Sequence, residues 1–470
     1  MKAHIMRLVL MVVALTVSGF LFSAGHHSKD HPSAIFEEIG LFNDGGMAVP
    51  HPAQDQPSKS SAAERLTTAI NEHGLDTALK LFSELRENSG GYDFNRNEFN
   101  TLGHKLLDNQ EYEAAVAVFN LNTEMFPDSP DVYYNLAKAC MYTSDRVCAE
   151  KNLKVTLVKN PNHYYAKRIL DDFDRRFERV SQEREKFYLP GEQTGLKGPY
   201  LGQKPPGLTA EIFAPGIVSK ALGQVVGCTF SPDGTEIIFS QYMTIMACRL
   251  EKEGWTAPKS IVFLENERAH EPHITLDGKK LYFGWARPTP EGFPKPARPK
   301  EWGDYGIYYC ERTTEGWGKP KYAGYGMYVT SSRDGRVYIT EMQESSAHIK
   351  RVIVENGIFV KFKELGGGLG RIHQDFPRTA HPSISPDGRT ILFDVERGYG
   401  LFAAYLDESG KWSKPVNLCE HGLLEGSFSG TYSPDGKYYF FHNEGDVYWI
   451  SSKFIERLRP DNQKAHIGFK

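Results

Sequence analysis

Ser231-Pro232-Asp233-Gly234 returns four more times, as Thr275-Leu276-Asp277-Gly278, Ser332-Arg333-Asp334-Gly335, Ser385-Pro386-Asp387-Gly388 and Ser433-Pro434-Asp435-Gly436. Pro presets the backbone for the second turn position, Asp bonds its own backbone, and Gly takes the conformation that a side chain would strain. After each turn comes an apolar run: Ile237-Ile238-Phe239, Leu281-Tyr282-Phe283, Val337-Tyr338-Ile339, Ile391-Leu392-Phe393 and Tyr439-Phe440-Phe441. The pattern is strand, tight turn, strand. Successive Asp-Gly pairs lie 44, 57, 53 and 48 residues apart, the range of a four-stranded propeller blade.

A second signature supports the blades. Trp255-Thr256-Ala257-Pro258, Trp317-Gly318-Lys319-Pro320 and Trp412-Ser413-Lys414-Pro415 close the first, second and fourth units, and Phe359 stands in the Trp position of the third. A third strand shows in Ile307-Tyr308-Tyr309, Leu401-Phe402-Ala403 and Val447-Tyr448-Trp449. The fifth unit lacks an outer strand, whereas the strand-like piece Glu211 to Ser219 precedes the first turn. Placing that piece outermost in the last blade closes the ring and removes open edges. Five blades are favoured. A sixth, from Pro288 to Trp302, stays open as an alternative to reading that proline-rich stretch as a surface loop of the second blade.

The first half is helical in pattern. Leu102-Gly103, Ala115, Phe119 and Pro127 correspond to Leu136-Ala137, Ala149, Leu153 and Pro161, and the two prolines are 34 residues apart. Asn97 to Pro161 thereby resembles two tetratricopeptide repeats. Ala78 to Phe82 reads as the second helix of an earlier unit and Tyr164 to Phe187 as one closing helix. Such arrays bury a core between neighbours and leave a concave face that binds a peptide or protein. The expected divisions are 1–25 signal peptide, 26–60 disordered lead-in, 61–187 helical array, 188–206 linker, 207–455 propeller and 456–470 tail.

The five turns also resemble the WD40-like Pro-Asp repeat of TolB-like propellers. Joined to tetratricopeptide repeats, this resemblance implies an exported bacterial protein of the cell envelope. Lys2 and Arg7, the apolar run Leu8 to Phe22 and the small residues Ser23-Ala24-Gly25 read as a signal peptide for a periplasmic or secreted chain. The run is shorter than the ~20 residues of a spanning helix, and no membrane span is expected after cleavage. The six cysteines read as buried small apolar residues, with Cys140 and Cys148 the foremost pair if any forms. A net charge of −4 gives no electrostatic reason to expect nucleic acid.

No G-x-S-x-G, H-E-x-x-H or phosphate loop occurs. Gly366 to Gly370 follows a strand and leads into polar loop, so it reads as an inter-blade connection. His270-Glu271-Pro272-His273 would direct its two histidines to opposite faces of a strand, and no metal or other cofactor is expected. Aligned blades give better candidates. Six residues before each turn Asp stand Gly227, Glu271, Tyr328, His381 and Ser429. Seven residues after it stand Ser240, Gly284, Glu341, Asp394 and His442. At the channel mouth Glu271, Tyr328, His381, Ser429, Glu341, Asp394 and His442 could hold a polar ligand or a cation, or simply line water. The expectation is a non-catalytic scaffold whose helices and propeller each hold a protein or peptide partner. The alternative is a metal-dependent hydrolase or lyase working at the channel mouth.

Overall fold

Each Asp-Gly turn is built the way its residues dictate. In the first, Ser231 Oγ donates to Asp233 Oδ1 at 2.5 Å and Gly234 N–H donates to the Ser231 carbonyl at 2.9 Å. The five turn glycines have φ between 71° and 80°, the left-handed region that glycine enters freely. The hydroxyl at the first position accepts the N–H five residues on, from Glu236 at 2.8 Å, Lys280 at 3.0 Å, Thr390 at 2.9 Å and Tyr438 at 3.0 Å. Ser or Thr is therefore as much a part of the motif as Asp-Gly. Arg333 replaces the turn proline in the third blade. Its N–H donates to Pro386 O and its guanidinium to Pro434 O, each at 2.9 Å, tying three turns together.

The computed structural model describes residues 59–185, 188–223, 225–241, 244–261, 268–293, 305–342, 348–366, 369, 379–395 and 400–460. The stretch 1–25 expected to be a signal peptide, nearly all of the lead-in, much of Pro288 to Trp302, three residues of the Gly366 run and the last ten residues lie outside these.

Five antiparallel sheets form a ring. The first blade runs Val225–Phe230, Glu236–Gln241, Thr244–Arg249, Lys259–Ser260. The second runs Ala269–Ile274, Lys280–Trp285, Gly306–Thr313, with Gly316–Trp317 and Lys321–Gly324 both paired to its third strand. The third and fourth begin at Met327–Ser331 and Thr379–Ile384. The fifth holds Phe428–Tyr432, Tyr438–Asn443 and Asp446–Ser451, and its outer strand is Glu211–Ile212. Ile212 pairs with Tyr448 and Glu211 with Trp449, so the chain closes its own ring. Beyond that strand Phe213, fully buried, packs on Phe230, Phe440 and Trp449 at centroid distances of 6.0, 5.0 and 5.2 Å.

Segment 188–206 is bonded to the propeller. Trp255 donates its indole N–H to Gly198 O at 2.7 Å and its backbone N–H to Leu196 O at 2.8 Å. The Tyr200 ring lies 5.5 Å from that of Trp449.

The helices ahead of the propeller are α1 Ala62–His73, α2 Leu75–Glu87, α3 Arg96–Asp108, α4 Tyr112–Met125, α5 Pro130–Tyr142, α6 Arg146–Lys159, α7 Tyr164–Asp171 and α8 Phe173–Glu185. The pairs α3/α4 and α5/α6 have the same lengths, 13 and 14 residues, and each helix of the second pair starts 34 residues after its counterpart. Gly103 lets α3 and α4 touch: a Cβ there would stand 2.4 Å from Phe119 Cζ. Asn95 and Asp145 cap α3 and α6 through their side chains. The single closing helix expected from Tyr164 is two. The chain breaks at Asp172, which has left helical geometry and accepts from Arg175 Nε at 2.5 Å.

Cys140 and Cys148 form a disulfide with Cα atoms 5.8 Å apart, which corrects their reading as two buried thiols. Cys228, Cys248 and Cys310 are free and buried. Closing so short a loop stabilises by about 2–3 kcal/mol in the chain-entropy account. Replacing both Cys140 and Cys148 by Ser should lower the thermal midpoint, and reductant should bring the parent protein to the same midpoint. Equal midpoints for all forms would show that the bond contributes nothing.

Candidate functional site

The innermost strand of every blade is bulged at one place. Its register against the second strand shifts between Val225 and Cys228, His270 and His273, Met327 and Val329, Ala380 and Ser383, and Phe428 and Gly430. Within each shift one residue has positive φ: Gly227 at 82°, Glu271 at 55°, Tyr328 at 51°, His381 at 47° and Ser429 at 43°. These are the five residues six positions before the turn Asp. A bulge adds an unpaired residue and re-aims its side chain. The left-handed conformation costs a non-glycine residue roughly 1–2 kcal/mol, so four blades retain a strained side chain at the same place. In the first blade glycine is required by space as well. A Cβ on Gly227 would stand 2.8 Å from Glu271 Cα.

The bulges bring side chains from distant blades together. His381 Nδ1 lies 2.8 and 2.9 Å from the two oxygens of Asp394. Its Nε2 faces Glu271 Oε1 at 3.4 Å. Glu271 Oε2 accepts the Tyr328 N–H at 3.1 Å and lies 3.5 Å from His270 Nδ1. The Tyr328 hydroxyl crosses to donate to Gly430 O at 2.6 Å, and its ring stands edge-on to His381 at 5.1 Å. His442 Nε2 accepts the Gly227 N–H at 2.9 Å, which places the proton of the neutral ring on Nδ1.

Charge follows from these contacts. Burial opposes a charged His381, but the adjoining Asp394 and Glu271 carboxylates outweigh it and lift its pKa to about 10. Burial also works to raise Glu271, yet His270 and His381 beside it hold its carboxyl well below the usual range. For His442, burial and then the nearby His381 charge push the pKa down to about 3. The site at neutral pH is thus an imidazolium between two carboxylates, with a neutral imidazole beside it.

The structure gathers Glu271, Tyr328, His381 and Asp394 into direct contact. Ser429 is fully buried and near the Tyr328 hydroxyl. His442 approaches across the Phe428 ring, whose centroid is 5.9 Å from its own. Glu341 meets Lys350 Nζ at 3.5 Å. Asp394 keeps 13% of its side-chain surface exposed, whereas Glu271 has none. Two contributors were not singled out from sequence: Tyr305, whose hydroxyl is 3.2 Å from His270 Nδ1, and Thr340, which accepts the His381 N–H at 2.9 Å; His270, considered there only as part of His270-Glu271-Pro272-His273, lies beside Glu271. Thr340 immediately precedes Glu341, so extending the blade alignment by one residue would have found it. His273 turns away to Ser331 Oγ at 2.8 Å. Among the described residues no group of three or more His, Cys, Asp or Glu side chains is placed to hold a metal ion.

No protein-family model matches the chain, and no curated protein matches it. Solved structures do. TolB from Acinetobacter baumannii is 16% identical, with a TM-score of 0.32 over 52% of this chain and 59% of that one. A TolB-like protein from Agrobacterium tumefaciens is 18% identical, with a TM-score of 0.30 over 47% of this chain and 70% of that one. A gluconolactonase from Xanthomonas campestris is 11% identical, with a TM-score of 0.30 over 48% and 85%. The likeness is to propellers, and it spans 59% of the length of the first of these proteins.

Proposed function

We propose that the chain is an exported, non-catalytic binding protein of the bacterial cell envelope. Its helical array, which resembles tetratricopeptide repeats, and its propeller each hold a protein or peptide partner. The divisions are those expected from the sequence: array 61–187, connecting segment 188–206, propeller 207–455, tail 456–470. The observation that carries the reading is the position of His381 between two carboxylates. A general base needs a free lone pair near its substrate, whereas Asp394 hydrogen-bonds His381 Nδ1 at 2.8 Å and Glu271 Oε1 faces Nε2 at 3.4 Å, an arrangement that favours the protonated ring. His442 Nε2 is likewise spent on the Gly227 N–H. This favours a fixed, partly open charge centre over a hydrolase or lyase. The Cys140–Cys148 bond suits an oxidising compartment, and no helix among the described residues is long and apolar enough to cross a membrane.

Two measurements test this. Residues 1–60 fused to alkaline phosphatase, which is active only after export, should give active enzyme; an inactive fusion contradicts export. Photo-crosslinking amino acids at Val158 on α6, 82% exposed, and Leu424 of the propeller, 37% exposed, should each yield discrete adducts in the full-length protein. Hydrolysis of a lactone or ester panel that vanishes with His381→Asn would overturn the non-catalytic reading.

A further inference from the structure

Helix α8 turns one face to the propeller. Arg176, Arg179 and Glu183 follow one another at helical spacing on that face, and all three bind the same short run of backbone. Arg176 donates to Ala221 O at 2.9 Å, Arg179 to Ser219 O at 3.3 Å, and Glu183 accepts the Ala221 N–H at 2.7 Å. Lys220, between them, is within electrostatic reach of Asp108 on α3 and of Glu183. Ala221 and Leu222, both fully buried, belong to the apolar core of the helices. The run starts on the propeller, where Ser219 Oγ donates to Val447 O at 3.1 Å and accepts the Val447 N–H at 2.9 Å, and its next residues turn into the helical array as a bound peptide would. Its backbone is read by side chains and two apolar residues are sunk behind a lysine.

Beside this run, α8 grips the fifth blade through polar contacts. Arg176 also reaches Glu444 at 3.2 Å, and Arg179 meets Asp446 at 2.8 and 3.1 Å. Two nitrogens of Arg168 and one of Arg176 are buried without a hydrogen-bond acceptor among the described residues. Buried charges that are not fully paired hold less firmly than apolar packing of the same size. The contact has the character of a separable interface.

We propose that residues 219–222 are the resident ligand of the helical array, and that the partner it fits is a peptide that makes the same tight turn, closed here by the Gly223 N–H on Lys220 O at 2.8 Å, with the same order: a basic residue, a small residue, then a large aliphatic one. Such a peptide would displace the run and loosen the array from the fifth blade. The biological use of this exchange rests on the peptide-binding reading above, but the occupancy itself does not.

The test uses the full chain and a fluorescent peptide spanning residues 216–223, with a control peptide carrying Asp at the leucine. Leu222→Asp should empty the site, and this variant should bind the native peptide at least tenfold more tightly than the parent does, and more tightly than the control peptide. Should Leu222→Asp fail to fold, hydrogen exchange on the parent protein decides. Excess native peptide should speed exchange at residues 219–222 at least fivefold, and the control peptide should not. Equal behaviour of native and control peptides overturns the proposal. Partner adducts absent from Val158 alongside a positive exchange result would sink the envelope-partner reading while leaving the occupancy standing.

Discussion

His381→Ala is expected to cost about 3–5 kcal/mol at pH 7, the penalty for leaving a buried charge without its partner. Two carboxylates lose their shared cation at once, Asp394 and the fully buried Glu271, which keeps only the Tyr328 N–H and His270 beside its other oxygen. Adding Glu271→Gln should recover part of the loss, giving a coupling of about 0.5–3 kcal/mol in a double-mutant cycle. Additive losses would mean that the two residues do not interact. The parent protein carries the same prediction in its pH profile. His381 has a raised pKa, so its stabilisation is complete below the ordinary histidine value and is lost as pH climbs toward about 10. Glu271 is depressed, so its stabilisation is present above the ordinary carboxylate range and disappears as pH falls below it. The contribution of this pair to stability should therefore be flat between about pH 4.5 and 6.5. Over that window its loss in His381→Ala should shrink at the acid end, where a stranded carboxylate can take up a proton.

Phe213→Ala should be the second large effect, at about 3–5 kcal/mol for removing a fully buried aromatic ring. Phe213 follows the Glu211–Ile212 strand that completes the last blade and sits among Phe230, Phe440 and Trp449. The ring of blades is closed there by two residue pairs, so packing behind them must hold the closure. Urea unfolding should show the drop, whereas Val360→Ala, at an exposed position on the third blade, should stay within about 0.5 kcal/mol of the parent. A similar, small effect at both positions would place the closure elsewhere.

The ring and its closure were readable because turns speak locally. Asp-Gly pairs with a hydroxyl two or three residues earlier need only their neighbours to form, and five copies leave little choice of architecture. The same alignment gave the position where Glu271, Tyr328, His381 and Ser429 begin their strands. It could not show that each would enter the left-handed region, because none is glycine and local preference argues against it. Strict alternation along His270-Glu271-Pro272-His273 separates neighbours across the strand, whereas the bulge at Glu271 leaves its carboxylate 3.5 Å from His270. Nor could the alignment pair His381 with Glu271, which lie two blades apart and meet only when the ring is closed. Glu341 shares the blade position of Asp394 and His442 yet meets Lys350, since the neighbouring strand supplies a cation there. Segment 188–206, with its prolines and glycines, reads as a connector. What binds it is the indole and backbone of Trp255, a partner no spacing reveals.

The protonation state of His381 bears most directly on whether this is a binding centre or a catalytic one. Two-bond nitrogen–proton correlation spectra of the protein labelled with 15N-histidine, assigned with His381→Asn, resolve it at pH 8. The account predicts a doubly protonated His381 ring and a His442 ring carrying its proton on Nδ1. A singly protonated His381 that titrates near the ordinary value of about 6.5 would contradict it and return the histidine to candidacy as a base.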